Sequence, residues 1–327
     1  MNFAGLPKIE LHCHLDGSIH PEAARQELLR QGMDLSGEDL LAQLTVTPDC
    51  RNLQEYLDCF ALPLKCVQTW SGLEESAYRL CRMEAEDGVR YFETRFAPSS
   101  CLENGLTVPQ AIEAVRKGLL RGREAFGIRS GLICCGMRHL SSETNLAMAR
   151  EARAYLGSGV VALDIAGGEA GHNNRELADF FAYARSVDFP MTIHSGECGS
   201  AENVREAIEL GARRIGHGIA IAGHRDIMQL CRDRRIALEL CPTSNIQTRA
   251  ISRLADYPIK DFAAFGIPLS VNTDNRTVSG TTLTREWELL DKEFAFTEEF
   301  FRQIYRDCVE ASFASDEDKE YMLQVDI

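Results

Sequence analysis

The chain has no apolar run near the length of a membrane span and no basic N-terminal region leading into an apolar stretch. It is therefore read as neither crossing a membrane nor entering a secretory route. It also lacks a like-charge block, a Pro/Gly/Ser-rich linker and a low-complexity tract. No period of about 20–50 residues marks a solenoid. A length of 327 residues fits two ordinary domains or one α/β barrel, and without a linker one domain over 1–327 is expected. Positive charge is scarce: Lys and Arg total 35 against 49 Asp and Glu, a net charge of −14. Such a surface repels phosphate backbones and anionic lipid, which argues against polymeric nucleic acid and membrane as partners and for a neutral or cationic small molecule. The 12 cysteines form no C-x-x-C, and the adjacent pair Cys134-Cys135 suits neither a zinc knuckle nor an easy disulfide. A reducing cytoplasm is the expected compartment, with most thiols acting as small buried hydrophobes.

What is present is an alternation of short β-rich runs and helical patterns. Strands are predicted at 8–14, 89–97, 130–137, 160–166, 190–195, 214–217, 236–241 and 268–273. Near-continuous apolar character, as in Val160-Val161-Ala162-Leu163, suits parallel strands covered on both faces. Between them, 200–211 has a Ser200 cap, an apolar face of Val204, Ala207 and Ile208, and a Gly211 stop; 107–126 starts on Thr107 and Pro109. Eight β-α alternations point to a (β/α)8 TIM barrel, with an open doubly wound sheet as the alternative. The first crossover, Leu15 to Gly88, is the longest and holds helices near 21–32 and 51–83. In a barrel such a helical insertion sits over the C-terminal mouth. Extra C-terminal helices are expected at 281–290, at 298–313 behind Thr297, and behind Ser315.

The strand ends carry the chemistry. His12 and His14 are two apart, so in a strand both imidazoles share a face. A half-buried strand with histidine at its polar positions would read the same way. The later strand ends favour a metal: Asp164 then Gly167-Gly168-Glu169, His194 then Glu197, His217 between Gly216 and Gly218, and Asn272-Thr273-Asp274-Asn275. A barrel gathers such positions at one mouth. His12, His14, His194 and Asp274 form a set of ligands suited to one zinc ion. Glu197 and His217 are left over, and fit the proton-handling and orienting work that hydrolysis requires.

The strings PKIELHCHLDGS, DIAGGE, HSGE, RIGHGI and NTDN, in this order, resemble the adenosine deaminases of the metal-dependent amidohydrolase superfamily. The resemblance covers essentially the whole chain from about residue 7. It implies one Zn2+ on His12, His14, His194 and Asp274, with Glu197 as proton shuttle and His217 orienting or deprotonating the attacking water. Asp274 would help hold that water, and His14 would border the substrate. Gly167 would offer its backbone N–H to the purine, and Asp16 would receive a ribose hydroxyl. Leu53, Tyr56, Leu57 and Phe60 match the family's hydrophobic lid, although an i, i+3, i+4, i+7 stripe also describes ordinary helix packing. The implied reaction converts adenosine, and 2′-deoxyadenosine with it, to inosine and ammonia in purine salvage.

Two departures stand out. Asn275 replaces the family's second aspartate, whose partner is purine N7, and Arg276-Thr277-Val278-Ser279 replaces a commoner proline-containing string. Superfamily members with two metals bridge them through a modified lysine, and no lysine follows strand four, so a single metal is expected. The deaminase architecture built on H-x-E and P-C-x-x-C is absent. Alternatives are a deaminase of another 6-aminopurine (adenine, AMP or a modified adenosine), an amidohydrolase opening a ring amide, and a non-enzymatic barrel. The last would need neither Glu197 nor His217. His20, His172 and His224 are expected to be solvated, His139 beside Arg138 structural or bordering the site, and Glu239 a partner of a metal ligand. Cys198 has no assigned role.

Overall fold

A computed structural model describes residues 1–198 and 200–325. Eight parallel strands form the centre: β1 Lys8–His14, β2 Val89–Phe96, β3 Arg129–Met137, β4 Val160–Ala166, β5 Thr192–Ser195, β6 Arg214–His217, β7 Ala237–Leu240 and β8 Leu269–Val271. They pair in sequence order as two four-stranded sheets, β1 to β4 and β5 to β8. Single bridges, Leu163 to Met191 and Cys13 to Asp274, close the two seams. The result is a (β/α)8 barrel. Apolar β-branched residues and leucines dominate because both strand faces are covered, as at Leu132, Ile133 and Cys134 in β3.

The strands are shorter at several ends than their composition suggests. β5 begins at Thr192 because Pro190 has no N–H for the ladder, and β8 spans the three residues Leu269–Val271, with the Asn272 side chain bonded to Ser270 and the Leu240 carbonyl just beyond it. Among the outer helices, Val108–Phe126 carries a full capping box of Thr107 with Gln110 and ends on left-handed Gly127.

The insertion after β1 holds five helices: Pro21–Arg30, Gly37–Leu44, Leu53–Asp58, Ala61–Cys66 and Trp70–Glu86. The helix at Gly37–Leu44 was not expected; its start signal is Ser36, whose hydroxyl accepts from the Asp39 N–H. The stretch read as helical over 51–83 is broken in two places. The first break falls at Cys59–Phe60, where Pro63 cannot donate to the Cys59 carbonyl, and Thr69 caps a new helix through the Gly72 N–H. After β8 the helices Leu283–Phe294, Glu298–Ala311 and Asp316–Leu323 start on Thr282, Thr297 and Ser315. No helix of the described residues is long and apolar enough to cross a membrane.

Candidate active site

A cavity of about 510 Å³ opens at the C-terminal ends of the strands, under the helix Leu53–Asp58. Its walls include His14, Asp16, Gly167, His194, Glu197, His217, Asp274 and Asn275. Two of the strand-end residues hold left-handed backbone despite having side chains: His217 at φ 65° and Asp274 at φ 61°. Such strain turns the side chains off the strand direction and into the mouth. Room for the rings depends on small neighbours. A Cβ on Gly216 would meet His12 Cε1 at 3.0 Å and His194 Cα at 3.2 Å.

His12 is fully buried, and its Nδ1–H donates to Glu239 Oε2 at 2.7 Å. That leaves Nε2 bare, without a hydrogen-bond partner, 3.2 Å from Asp274 Oδ1. His194 is fixed alike: Nδ1 lies 2.9 Å from Asp164 Oδ2, and Nε2 faces His14 Nε2 at 3.1 Å. His14 Nε2 is 3.4 Å from the same Asp274 oxygen. Ligand atoms of His12, His14, His194 and Asp274 all fall within 4.8 Å of one another. Three ring nitrogens and a carboxylate oxygen converge here with lone pairs inward, which is favourable only around a cation. The donor set fits zinc, and the carboxylates behind the rings fix the tautomers that expose Nε2. Burial, with the charges of neighbouring histidines, pushes His14 well below the ordinary histidine range and so keeps it a neutral ligand. Burial opposes the charge on Asp274, yet the His12 ring at 3.2 Å and the neighbouring His217 and His14 hold its carboxyl well below the usual range.

A second grouping, His12, His217, Cys241 and Asp274, is also close enough for a metal. Cys241 fits it poorly: burial pushes the thiol well up, and the sulfur donates to the Glu239 carbonyl at 3.5 Å. Behind the first cage, Arg95 bridges the two supporting acids, reaching Asp164 at 2.8 Å and Glu239 at 2.9 Å. All three side chains are inaccessible to solvent. Arg95 thus compensates the buried anions that the histidines lean on.

Glu197 stands beside this cage, with Oε2 3.7 Å from His217 Nε2. Desolvation first, then the charges of Asp274 and Glu169, pushes its carboxyl well above the ordinary value. Its loop is pinned by Glu169, which accepts from the backbone N–H groups of Gly196 (2.9 Å), Glu197 (3.2 Å) and Cys198 (3.2 Å). Asp16 is pushed up to about 6 by desolvation, and its Oδ1 has no partner. Asn275 is buried with its amide oxygen against Gly17, where a Cβ would come within 1.8 Å of it. Gly167 lines the cavity at φ 94°.

Leu53, Tyr56, Leu57 and Phe60 all line the cavity. Tyr56 also reaches Ser279 Oγ at 2.6 Å, so the stripe does more than pack a helix. His139 borders the cavity near Gly167, and His172 lies at its rim with a side chain 42% exposed. His20 caps the helix Pro21–Arg30, and His224 is exposed. The sequence assigns no role to Glu169, to Arg95 or to Asn245, whose amide lies against His217. Glu169 lies three residues beyond the end of β4, a usable signal; Asn245 has none.

A barrel with a cage of three histidines and an aspartate at its mouth, flanked by an unligated acid and histidine, defines a hydrolase of the amidohydrolase type. The chain belongs to the adenosine deaminase family, whose profile matches residues 7–326. It is 41% identical to an adenosine deaminase from Enterococcus faecalis over 321 residues, covering 98% of this chain and 95% of the relative. It superposes on adenine deaminase from Arthrobacter aurescens with a TM-score of 0.89, 26% identity and 97% of each chain covered. Against arabidopsis ADAL complexed with IMP the TM-score is 0.87 at 25% identity, covering 98% of this chain and 96% of the other.

Proposed function

We propose that this cavity converts adenosine and water to inosine and ammonia with one zinc ion held by His12, His14, His194 and Asp274. Adenosine deamination by a hydrolase is the activity of the family to which the chain belongs and of the relative at 41% identity. Held by these four residues, zinc would supply the Lewis acidity needed to make water a nucleophile at neutral pH. Glu197, kept protonated by desolvation, gives its proton to purine N1 and makes C6 electrophilic. His217 and Asp274 hold the attacking water against C6, and the lid of Leu53, Tyr56, Leu57 and Phe60 excludes bulk solvent. Asp16 receives a ribose hydroxyl, the Gly167 N–H approaches the base, and Asn275 reads N7.

The observation that carries this reading is a buried acid and a neutral histidine on the same wall as a four-donor cage, none of the pair being needed as a ligand. Among the described residues the cavity lining includes no lysine or arginine, which favours a nucleoside over a nucleotide. The twelve free cysteines suit a reducing cytoplasmic setting and a role in purine salvage. Ultraviolet assays of the zinc-loaded protein should show turnover of adenosine and 2′-deoxyadenosine well above that of adenine and AMP. AMP or adenine as the better substrate would defeat the reading.

A further inference from the structure

His217 is the wall residue whose function depends on where a single proton sits. It ends β6, is 1% exposed, and its ring lies 5.0 Å from the His12 ring and 5.4 Å from that of His194. A ring beside a cage for a dication is opposed to taking a second proton, so it carries one proton shared between two nitrogens. Which nitrogen holds it is set by the partner of the other.

That partner is Asn245, on the helix Pro242–Gln247 that follows β7, with its side chain fully buried. Asn245 Nδ2 lies 3.0 Å from His217 Nδ1. An amide nitrogen only donates, so Nδ1 accepts and must be bare. The amide is held this way round by its other end: the buried Tyr257 hydroxyl donates to Asn245 Oδ1 at 3.0 Å. With the amide reversed, the phenol proton would lose this acceptor. The backbone of Asn245 is fixed as well, its N–H donating to the Cys241 carbonyl at 2.9 Å and its own carbonyl accepting from Ile251 at 3.0 Å.

We propose that Asn245, oriented by Tyr257, is a positioning residue that fixes His217 as its Nε2–H tautomer, so that the ring offers a proton donor to the reacting oxygen and has no basic nitrogen facing it. The inference rests on the deaminase reading and deepens it. Of the two roles open to His217, orienting the water or deprotonating it, the geometry selects orientation, and proton transfer falls to Glu197 on the same wall.

The test compares three side chains at one position in the zinc-loaded protein. Asparagine donates to Nδ1, alanine does neither, and aspartate, close to asparagine in shape, accepts and so draws the ring proton onto Nδ1. The expected order of kcat/KM for adenosine is wild type, then Asn245→Ala, then Asn245→Asp. The last should fall on the order of 10²–10³-fold, the scale for losing one preorganised donor to a developing negative charge. A residue needed for packing alone would give the opposite order, because aspartate fills the space that alanine leaves empty. Aspartate equal to or better than alanine therefore overturns the proposal. Nitrogen NMR of histidine-labelled protein, with His217 assigned by its loss in His217→Gln, reads the tautomer directly and needs no turnover. Wild type should show a bare Nδ1 and a protonated Nε2; the reverse pattern overturns the proposal even if every Asn245 variant fails to fold. Tyr257→Phe should give a mixture of the two patterns, and an unchanged single pattern would remove Tyr257 from the argument. A wild type without adenosine deamination would instead sink the functional reading, which the NMR pattern does not depend on.

Discussion

Glu197 and Asn275 face the same cavity but differ in when they can donate a proton or a hydrogen bond. A carboxyl donates only while protonated, and burial keeps Glu197 protonated well above the ordinary carboxylate range. Glu197→Gln should therefore retain fold and metal yet lose on the order of 10²-fold or more in kcat, the scale of general acid–base catalysis. In wild type, kcat/KM should persist through acid and neutral pH and fall as pH rises through the raised pKa of Glu197. Near-wild-type kcat in the Gln variant would assign the proton elsewhere. Asn275 needs no pKa shift, since an amide donates at any working pH. Its oxygen is turned onto Gly17, and its side chain lines the cavity. Loss of one neutral hydrogen bond to purine N7 should cost about 0.5–1.5 kcal/mol, roughly two- to twelve-fold in kcat/KM. Asn275→Ala should impair adenosine turnover by that amount and leave a 7-deaza substrate, which has no acceptor there, nearly unchanged. Equal losses on both substrates would mean that Asn275 serves the Asp274 turn and does not read the base. The residues gathered at the mouth were legible because strand periodicity and barrel geometry dictate where strand ends go. Arg95 and Asn245 were not legible as partners, because contacts between side chains of distant strands and helices, Arg95 to Asp164 and Glu239 and Asn245 to the His217 ring, leave no spacing in the sequence.

Among the elements, Leu283–Phe294 supports the helix that carries Asn245. Glu286 within it is fully buried and accepts from the Thr243 N–H at 3.0 Å and from Thr281 Oγ1 at 2.5 Å, so it caps Pro242–Gln247 from a distance. Desolvation pushes this carboxyl from 4.5 up to about 7. A raised carboxyl pKa means that the folded state binds more protons than the unfolded chain between those values, so stability falls as pH rises from about 4.5 to 7. The cost at alkaline pH is on the order of 1–3 kcal/mol by linkage. Glu286→Gln, neutral at every pH, should raise Tm relative to wild type at pH 8 and lose most of that advantage at pH 5. Thermal melts at the two pH values check this, and an advantage independent of pH would show that the charge is not the cause. Of the elements themselves, the eight strands and the C-terminal helices were readable from periodicity and caps, with ends displaced by a few residues where ladder hydrogen bonds run out. The insertion was less readable. Gly37–Leu44 is short and mostly exposed, and Pro63 breaks a pattern whose apolar spacing continues across it.

On the scale of the whole barrel, the four ligand residues are divided between its halves. His12 and His14 belong to the sheet of β1 to β4, while His194 lies in β5 and Asp274 follows β8 in the other sheet. Between β1 and β8 the halves meet through a single bridge, Cys13 to Asp274, supported by the His14 N–H to Asp274 carbonyl bond at 2.7 Å and the Asp274 N–H to His12 carbonyl bond at 2.9 Å. Within the halves the ladders are longer, as from Tyr91 to Phe96 against Arg129 to Cys134. A cation on the cage therefore fastens one of the two single-bridge seams and relieves the repulsion between ring nitrogens 3.1 Å apart. A ligand that binds the folded state alone stabilises it by mass action, about 2.7 kcal/mol at a free concentration 100 times its Kd. Stripping zinc with a chelator should lower Tm by several degrees, and hydrogen exchange should rise first at the amides of His14 and Asp274 while those of β2 and β3 stay protected. His194→Ala removes a ligand from one half, so its Tm should respond little to added zinc. A chelator effect of the same size in that variant, or exchange that rises evenly around the barrel, would show that the metal does not join the two halves.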